Sequence, residues 1–194
     1  MSSLPENGFS EAERQALLSL ARGAIVSAFL AEPPAFSPNE PACFSLRRGV
    51  FVTIHVAGKL RGCIGVIEGR ETLRDSIIHC ARSAAFSDQR FAKLRPDEVD
   101  RLEIEISVLS EIFPITAQEI RVGKHGLLVA SGEKHGLLLP QVAVEHHLSA
   151  EQFLEETCRK AGLPRSAWQD AETKLLGFTC EIFHDCGKED EQKA

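Results

Sequence analysis

No run of apolar residues in this chain of 194 approaches the roughly 20 that a membrane-spanning helix needs. Met1 to Gly8 has neither the basic start nor the apolar centre of a signal peptide. A cytoplasmic protein with no membrane association is expected, and in that compartment cysteines stay reduced. The six cysteines (43, 63, 80, 158, 180 and 186) contain no C-x-x-C pair, so neither a zinc ribbon nor a thioredoxin-like motif is supported. The chain has no P-loop, no G-x-G-x-x-G after a strand, no H-E-x-x-H and no clustered iron–sulfur cysteines, and no cofactor is expected. A basic excess is missing too. The net charge of −6 and pI near 5.7 argue against a dedicated nucleic-acid binder, although a local patch can survive an acidic average.

What is present is ordinary for a globular protein. The chain is 43% hydrophobic and 26% charged, enough for one domain with a real core. Ser10-Glu11-Ala12-Glu13 is a capping box, and Leu17, Leu20, Ala21, Ala24, Ile25, Ala28 and Phe29 recur behind it at helical spacing. Pro33-Pro34 stops that helix, and residues 33 to 41, with four prolines, read as an extended linker. Ala42 to Leu46 is expected to add a short strand. Thr72 opens a second helix with Leu73, Ile77, Cys80, Ala81 and Ala84 on its apolar face, and Ser87 to Phe91 ends it as a polar loop. Pro96-Asp97-Glu98-Val99 starts a short helix. Leu102 to Leu109 alternates as a strand.

The two similar runs Lys124-His125-Gly126-Leu127-Leu128 and Lys134-His135-Gly136-Leu137-Leu138 read as a β-hairpin turning at Ser131-Gly132-Glu133. Its histidines sit at corresponding arm ends and do not face each other. Glu145-His146-His147 reads as solvated, since neighbouring side chains diverge on a strand or a helix. Ser149-Ala150-Glu151-Gln152 is a second capping box, with Gly162 at the C′ end of its helix. Leu176, Phe178, Cys180 and Ile182 alternate as a final strand, on which Cys180, His184 and Cys186 could share one side as soft metal ligands. Their spacing is irregular, and no metal is assigned. Helices and hairpins without a βαβ rhythm indicate an α+β fold with a mainly antiparallel sheet.

The chemistry-bearing stretch is a hairpin. Gly49 to Val56 is one arm, Ala57-Gly58-Lys59 the turn, and Leu60-Arg61-Gly62-Cys63-Ile64-Gly65 the return. Alternation puts Arg61, Cys63 and Gly65 on one face and Leu60, Gly62 and Ile64 on the other. A guanidinium roughly 6.5–7 Å along a strand from a thiol favours the thiolate. The alternative is a kinked hairpin around a small packed cysteine. Gly62 and Gly65 leave room for protein or ligand to approach the backbone. Glu103 and Glu105, two apart on one face, are either an acid/base pair or the wet face of a half-buried strand. Were their strand beside the Arg61 strand, either could pair with that guanidinium.

Leu60-Arg61-Gly62-Cys63-Ile64-Gly65 resembles the signature of the AMMECR-one domain family, whose bacterial members are called AmmeMemoRadiSam system protein A. The likeness continues through Ser83-Ala84-Ala85, Asp88-Gln89-Arg90-Phe91, Leu102 to Leu109, Gly123 to Leu127, Gly136 to Ala143, Cys158 to Leu163 and Trp168, in the family's order. It implies one domain over residues 9–186, and the ends at 1–8 and 187–194, the latter strongly charged, are expected to be flexible. It also implies a larger lobe built on an antiparallel sheet flanked by helices, with a smaller lobe packed against it. It marks the Ser87–Phe91 loop as part of the site region and His125 as a candidate for proton transfer.

Two functions are compatible with these residues. In one, the chain is a binding or accessory component acting with a Memo-like protein and a radical S-adenosylmethionine enzyme, the partners the resemblance implies. Gly62, Gly65, Arg90 and Gln141 are its candidate substrate- or partner-binding residues. In the other, the chain is an enzyme with Cys63 as nucleophile or radical-relay thiol and Arg61 as anion binder. Glu103, Glu105 or His125 would then move protons.

Overall fold

The computed structural model describes residues 8–30 and 40–185. The elements follow in the order α1 (Glu11–Leu30), β1 (Val50–Val56), β2 (Lys59–Val66), α2 (Leu73–Phe86), β3 (Leu102–Leu109), β4 (Phe113–Pro114), β5 (Gly126–Ser131), β6 (Lys134–Leu138), α3 (Pro140–Glu145), α4 (Ala150–Lys160), β7 (Lys174–Phe178) and β8 (Cys180–His184). The fold is α+β, with two four-stranded sheets in the orders β2-β1-β3-β8 and β4-β7-β5-β6. The β1–β2, β1–β3, β4–β7, β5–β6 and β5–β7 pairings are antiparallel. The contacts divide the chain into two units, Met1–Val108 with Glu181–Ala194, and Leu109–Cys180.

In the first unit burial alternates along all of β1 and along β3 as far as Ile106, beyond which Ser107, Val108 and Leu109 are all buried. Val50, Val52, Ile54, Val56, Leu102, Ile104, Ile106 and Val108 point one way into a core filled by Leu17, Ala21, Ile25, Ile77, Cys80 and Ala84 of the two helices. The caps behave as local chemistry dictates: Ser10 and Glu13 bond reciprocally, and Thr72 accepts from the Asp75 amide. α2 lies directly on β2, where a Cβ on Gly62 would sit 2.1 Å from the Ala84 carbonyl oxygen. Only glycine admits that approach.

The second unit is closed at its ends by Ser110 and Thr179. The Ser110 amide donates to the Thr179 carbonyl and the Thr179 amide to the Ser110 hydroxyl, both at 2.9 Å. Phe153, Leu154 and Leu127 anchor its core. The glycines of the repeated hairpin admit neighbours: the Phe178 ring crowds Gly126, and the end of α4 crowds Gly136.

Three expectations are corrected. Ala42–Ser45 is a 3-10 turn rather than a strand, although Cys43 and Phe44 are buried as a core segment would be. The single final strand is two, one in each sheet, because the chain leaves the ladder at Thr179. That break inverts the alternation, so Phe183 is buried and Ile182 is exposed. The hairpin turn is the two-residue Ala57–Gly58, with φ of +50° and +71° and Lys59 already paired to Val56. Positive φ at both positions gives the strand twist a tight antiparallel hairpin needs. The expected linker over 33–41 lies largely, and Cys186 with the tail wholly, outside the described residues.

Gly62→Ala is expected to destabilise by about 2–3 kcal/mol, lowering Tm by roughly 4–12 °C, because the helix backbone cannot yield cheaply. Gly23→Ala, in the exposed middle of α1 with nothing within 4 Å of its Cβ position, should stabilise by about 0.5–1 kcal/mol. Thermal melts of both variants check the opposite signs.

Candidate functional site

The site is built on the face of β1–β2–β3 turned away from α1 and α2. The ladder sets Cys63 opposite Thr53, and Thr53 opposite Glu105, so all three side chains form one row. The next row is Leu60, His55 and Glu103. On the other side lie Gly65, Phe51 and Ser107. Cys63, Thr53, His55, Glu103 and Glu105 are each half-buried. The Thr53 hydroxyl lies 3.2 Å from Cys63 Sγ and can donate to it.

Cys63 is held from a second direction. β2 is an edge strand, so main-chain groups pointing away from β1 have no ladder partner. Asp88, in the loop after α2, fills that role: its Oδ2 accepts the Cys63 N–H at 3.0 Å. Arg90 Nη2 donates to the Cys63 carbonyl at 3.0 Å. The two side chains also pair with each other, with Arg90 Nε on Oδ1 at 2.9 Å and Nη2 on Oδ2 at 2.7 Å. The Asp88 side chain is only 4% exposed, and that of Arg90 is 59% exposed. The Arg90 guanidinium holds the Asp88 carboxyl far below the usual carboxylate range, and the Cys63 and Arg90 amides add to the effect. Arg90 also lies over the Phe91 ring, 5.4 Å from its centroid.

Arg61 is placed otherwise than expected. The register slips between Ile54 and His55, pairing Ile54 with Gly62 and His55 with Leu60, so Arg61 is the extra residue of a β-bulge. The slip brings Leu60 into the row of His55, against simple alternation. The guanidinium of Arg61 closes on Glu98, with Nη2 at 3.1 and 2.9 Å from the two carboxylate oxygens. Glu98 in turn accepts the Arg95 amide at 2.9 Å, the main reason its carboxyl is held low. Nor does the pairing of Arg61 with Glu103 or Glu105 form, because β1 stands between β2 and β3. Two strand spacings, about 10 Å, separate those backbones. Glu103 instead accepts the Gly58 amide at 3.1 Å and props the hairpin turn.

The two glycines are filled by the protein itself. The Ala84 carbonyl occupies the space at Gly62, and the Phe51 ring covers Gly65. The approach that their missing side chains permit is therefore made by protein in both cases. His125 and Gln141 belong to the second unit. The His125 ring is edge-on to Phe113 at 5.9 Å, accepts the Arg121 amide through Nδ1, and is pushed toward the neutral form by burial and by Lys124 and Arg121. Gln141 Oε1 is buried without a partner among the described residues.

Among the described residues no group of three His, Cys, Asp or Glu side chains is arranged to hold a metal ion. Cys43, Cys80 and Cys158 are core residues, and burial pushes the Cys43 thiol up to about 11 and the Cys80 thiol to about 12. Thr53, His55 and Glu98 are not among the candidate residues legible in the sequence, and Asp88 enters there only through the Ser87–Phe91 loop that the resemblance marks. Hairpin register could have placed Thr53 and His55 on the Cys63 face. Nothing local marks Asp88 or Glu98, whose partners lie 25 and 37 residues away in the chain.

The AMMECR1 family model matches residues 18–183 of this chain. The chain belongs to the AMMECR1 family. It is 42% identical over 186 residues to a protein of Methanothermobacter thermautotrophicus, an alignment covering 92% of this chain and 97% of that one. To protein Mbar_A1807 of Methanosarcina barkeri it is 40% identical over 193 residues, covering 92% and 95%. Its fold is similar to the crystal structure of uncharacterized protein PH0010 from Pyrococcus horikoshii, with TM-score 0.86, 36% identity and coverage of 93% and 95%. In this AMMECR1 chain the signature run thus supplies a bulge, a helix seat and a clasped cysteine. No described helix is long and apolar enough to cross a membrane.

Asp88 and Glu98 both have carboxyls lowered in the folded state, so what they add to stability is complete above the unfolded value near 4 and is lost as pH falls through the folded values. Urea midpoints should therefore fall from about pH 4 downward. Asp88→Asn should be less stable at pH 7 and should show a shallower acid decline. An unchanged acid decline in that variant would contradict the assignment.

Proposed function

We propose that this AMMECR1 protein is a binding or accessory component that acts with a Memo-like protein and a radical S-adenosylmethionine enzyme. The contact region is the β1–β3 face around Cys63, with Arg90 at its edge. The observation that carries this reading is the closure of Arg61 on Glu98. The guanidinium that an enzymatic thiol would use for activation and for anion binding is already paired. Arg90 is the exposed cation beside Cys63, and beyond Asp88 and the Cys63 carbonyl its guanidinium keeps N–H groups for a partner's carboxylate or phosphate.

A second reading keeps Cys63 as nucleophile or radical-relay thiol. The Thr53 hydroxyl favours it, as a donor 3.2 Å from Sγ, and Glu105 and His55 stand in the same and the adjacent row, where they would carry protons.

Purified chain titrated with each partner is expected to bind at least one, and Arg90→Glu should weaken that binding about tenfold or more by reversing a charge. Iodoacetamide alkylation with sites assigned by mass spectrometry separates the readings. Cys43, Cys80 and Cys158 should be silent until unfolding. A Cys63 midpoint near the ordinary thiol value of about 8.5 accords with binding. A midpoint well below it, together with no partner binding, would move the assignment to the enzyme.

A further inference from the structure

We propose that Asp88 is a positioning residue for Cys63. It acts through the main chain, and Arg90 completes the clasp. The inference rests on the reading that the Cys63 face is functional, and it adds a residue which that reading does not need. An edge strand normally leaves its outward amide and carbonyl to water. At Cys63 both are taken by side chains, the amide by Asp88 at 3.0 Å and the carbonyl by Arg90 at 3.0 Å. The two side chains thus stand where a neighbouring strand would, and they act on one residue.

The arrangement is more than edge protection. The Asp88 carboxylate accepts four hydrogen bonds: from the Cys63 amide, from the Arg90 amide at 3.1 Å, and from Arg90 Nε and Nη2. A carboxylate with a side chain 4% exposed is costly to bury unless its oxygens are satisfied, and here they are. Charge-assisted bonds are roughly twice as strong as neutral ones, so the clasp holds the Cys63 peptide units more firmly than water would. Because the side-chain direction follows the backbone, holding those two groups also aims Sγ at the Thr53 hydroxyl, 3.2 Å away. The seat of α2 on Gly62 places the loop that carries Asp88 beside the edge.

Hydrogen exchange of individual amides and the pH profile of Cys63 alkylation, measured on the full chain, test the proposal. Asp88→Ala should speed exchange of the Cys63 amide about tenfold or more while Ile104 and Ile106 keep their protection. It should also change the Cys63 alkylation profile, and Asp88→Asn, which can still accept the amide, should restore part of both. If Asp88→Ala does not fold, Arg90→Ala reads out the same clasp from the carbonyl side and should give a smaller change of the same sign. Unaltered Cys63 exchange and alkylation in a folded Asp88→Ala or Arg90→Ala protein would overturn the proposal. A uniform rise across β1–β3 would also overturn it, by showing general destabilisation instead. Loosened Cys63 with unchanged partner binding would leave the positioning role standing and remove the binding reading. The reverse pattern would remove the positioning role alone.

Discussion

The first unit depends on the contact between the Ala84 carbonyl and Gly62. A helix backbone lying that close to a strand brings α2 down along the edge of the sheet, and the turn after Phe86 then emerges beside β2. Without a glycine at position 62 the helix would have to lift, and the loop carrying Asp88 would lift with it. One missing side chain therefore couples the packing of the core to the geometry at the cysteine that follows it in sequence. Cys63 stands on the opposite face from Gly62, so the same strand serves the core with one side and the candidate site with the other.

Charge is distributed around this strand in two closed pairs. Arg61 is directed by the bulge toward Glu98, and Asp88 is directed by its loop toward Arg90 and the Cys63 main chain. Both carboxylates are largely shielded from water, and both also accept main-chain amides, so each ion pair doubles as a backbone cap. An edge strand bearing a bulge and a clasp is also a poor template for pairing with another chain. The arrangement that presents Cys63 thus also protects the sheet.

Membership of the AMMECR1 family and the α+β fold stand on comparison and geometry together. The functional reading turns on which arginine is available. With Arg61 closed on Glu98 and Arg90 exposed at the edge, the face is better equipped to meet an anionic group than to generate a strong nucleophile. The Thr53 hydroxyl on Cys63 Sγ is the feature that keeps thiol chemistry in view.

Most of the architecture was legible from local pattern. The capping boxes at Ser10 and Ser149, the apolar stripes of α1 and α2, the alternation of β3 and the hairpin through Gly132 are short-range matters. Periodicity and side-chain-to-backbone bonding decide them within a few residues. What failed, failed where a long-range choice overrode the pattern. Strict alternation made Arg61 an ordinary strand residue, but a one-residue bulge takes it out of the ladder register and Glu98 takes its guanidinium. A single alternating run covered Leu176 to Ile182, but the chain changed sheets at Thr179. Gly62 and Gly65, read as places where protein or ligand could approach the backbone, are met by a helix carbonyl and a phenyl ring, a choice between the two that the local pattern left open. The sequence by itself determined most of the elements, the likeness to the family and the presence of a thiol on a hairpin strand. Only the tertiary structure decided which charges meet that strand, because Asp88 and Glu98 reach it across 25 and 37 residues, and no local spacing encodes such a distance.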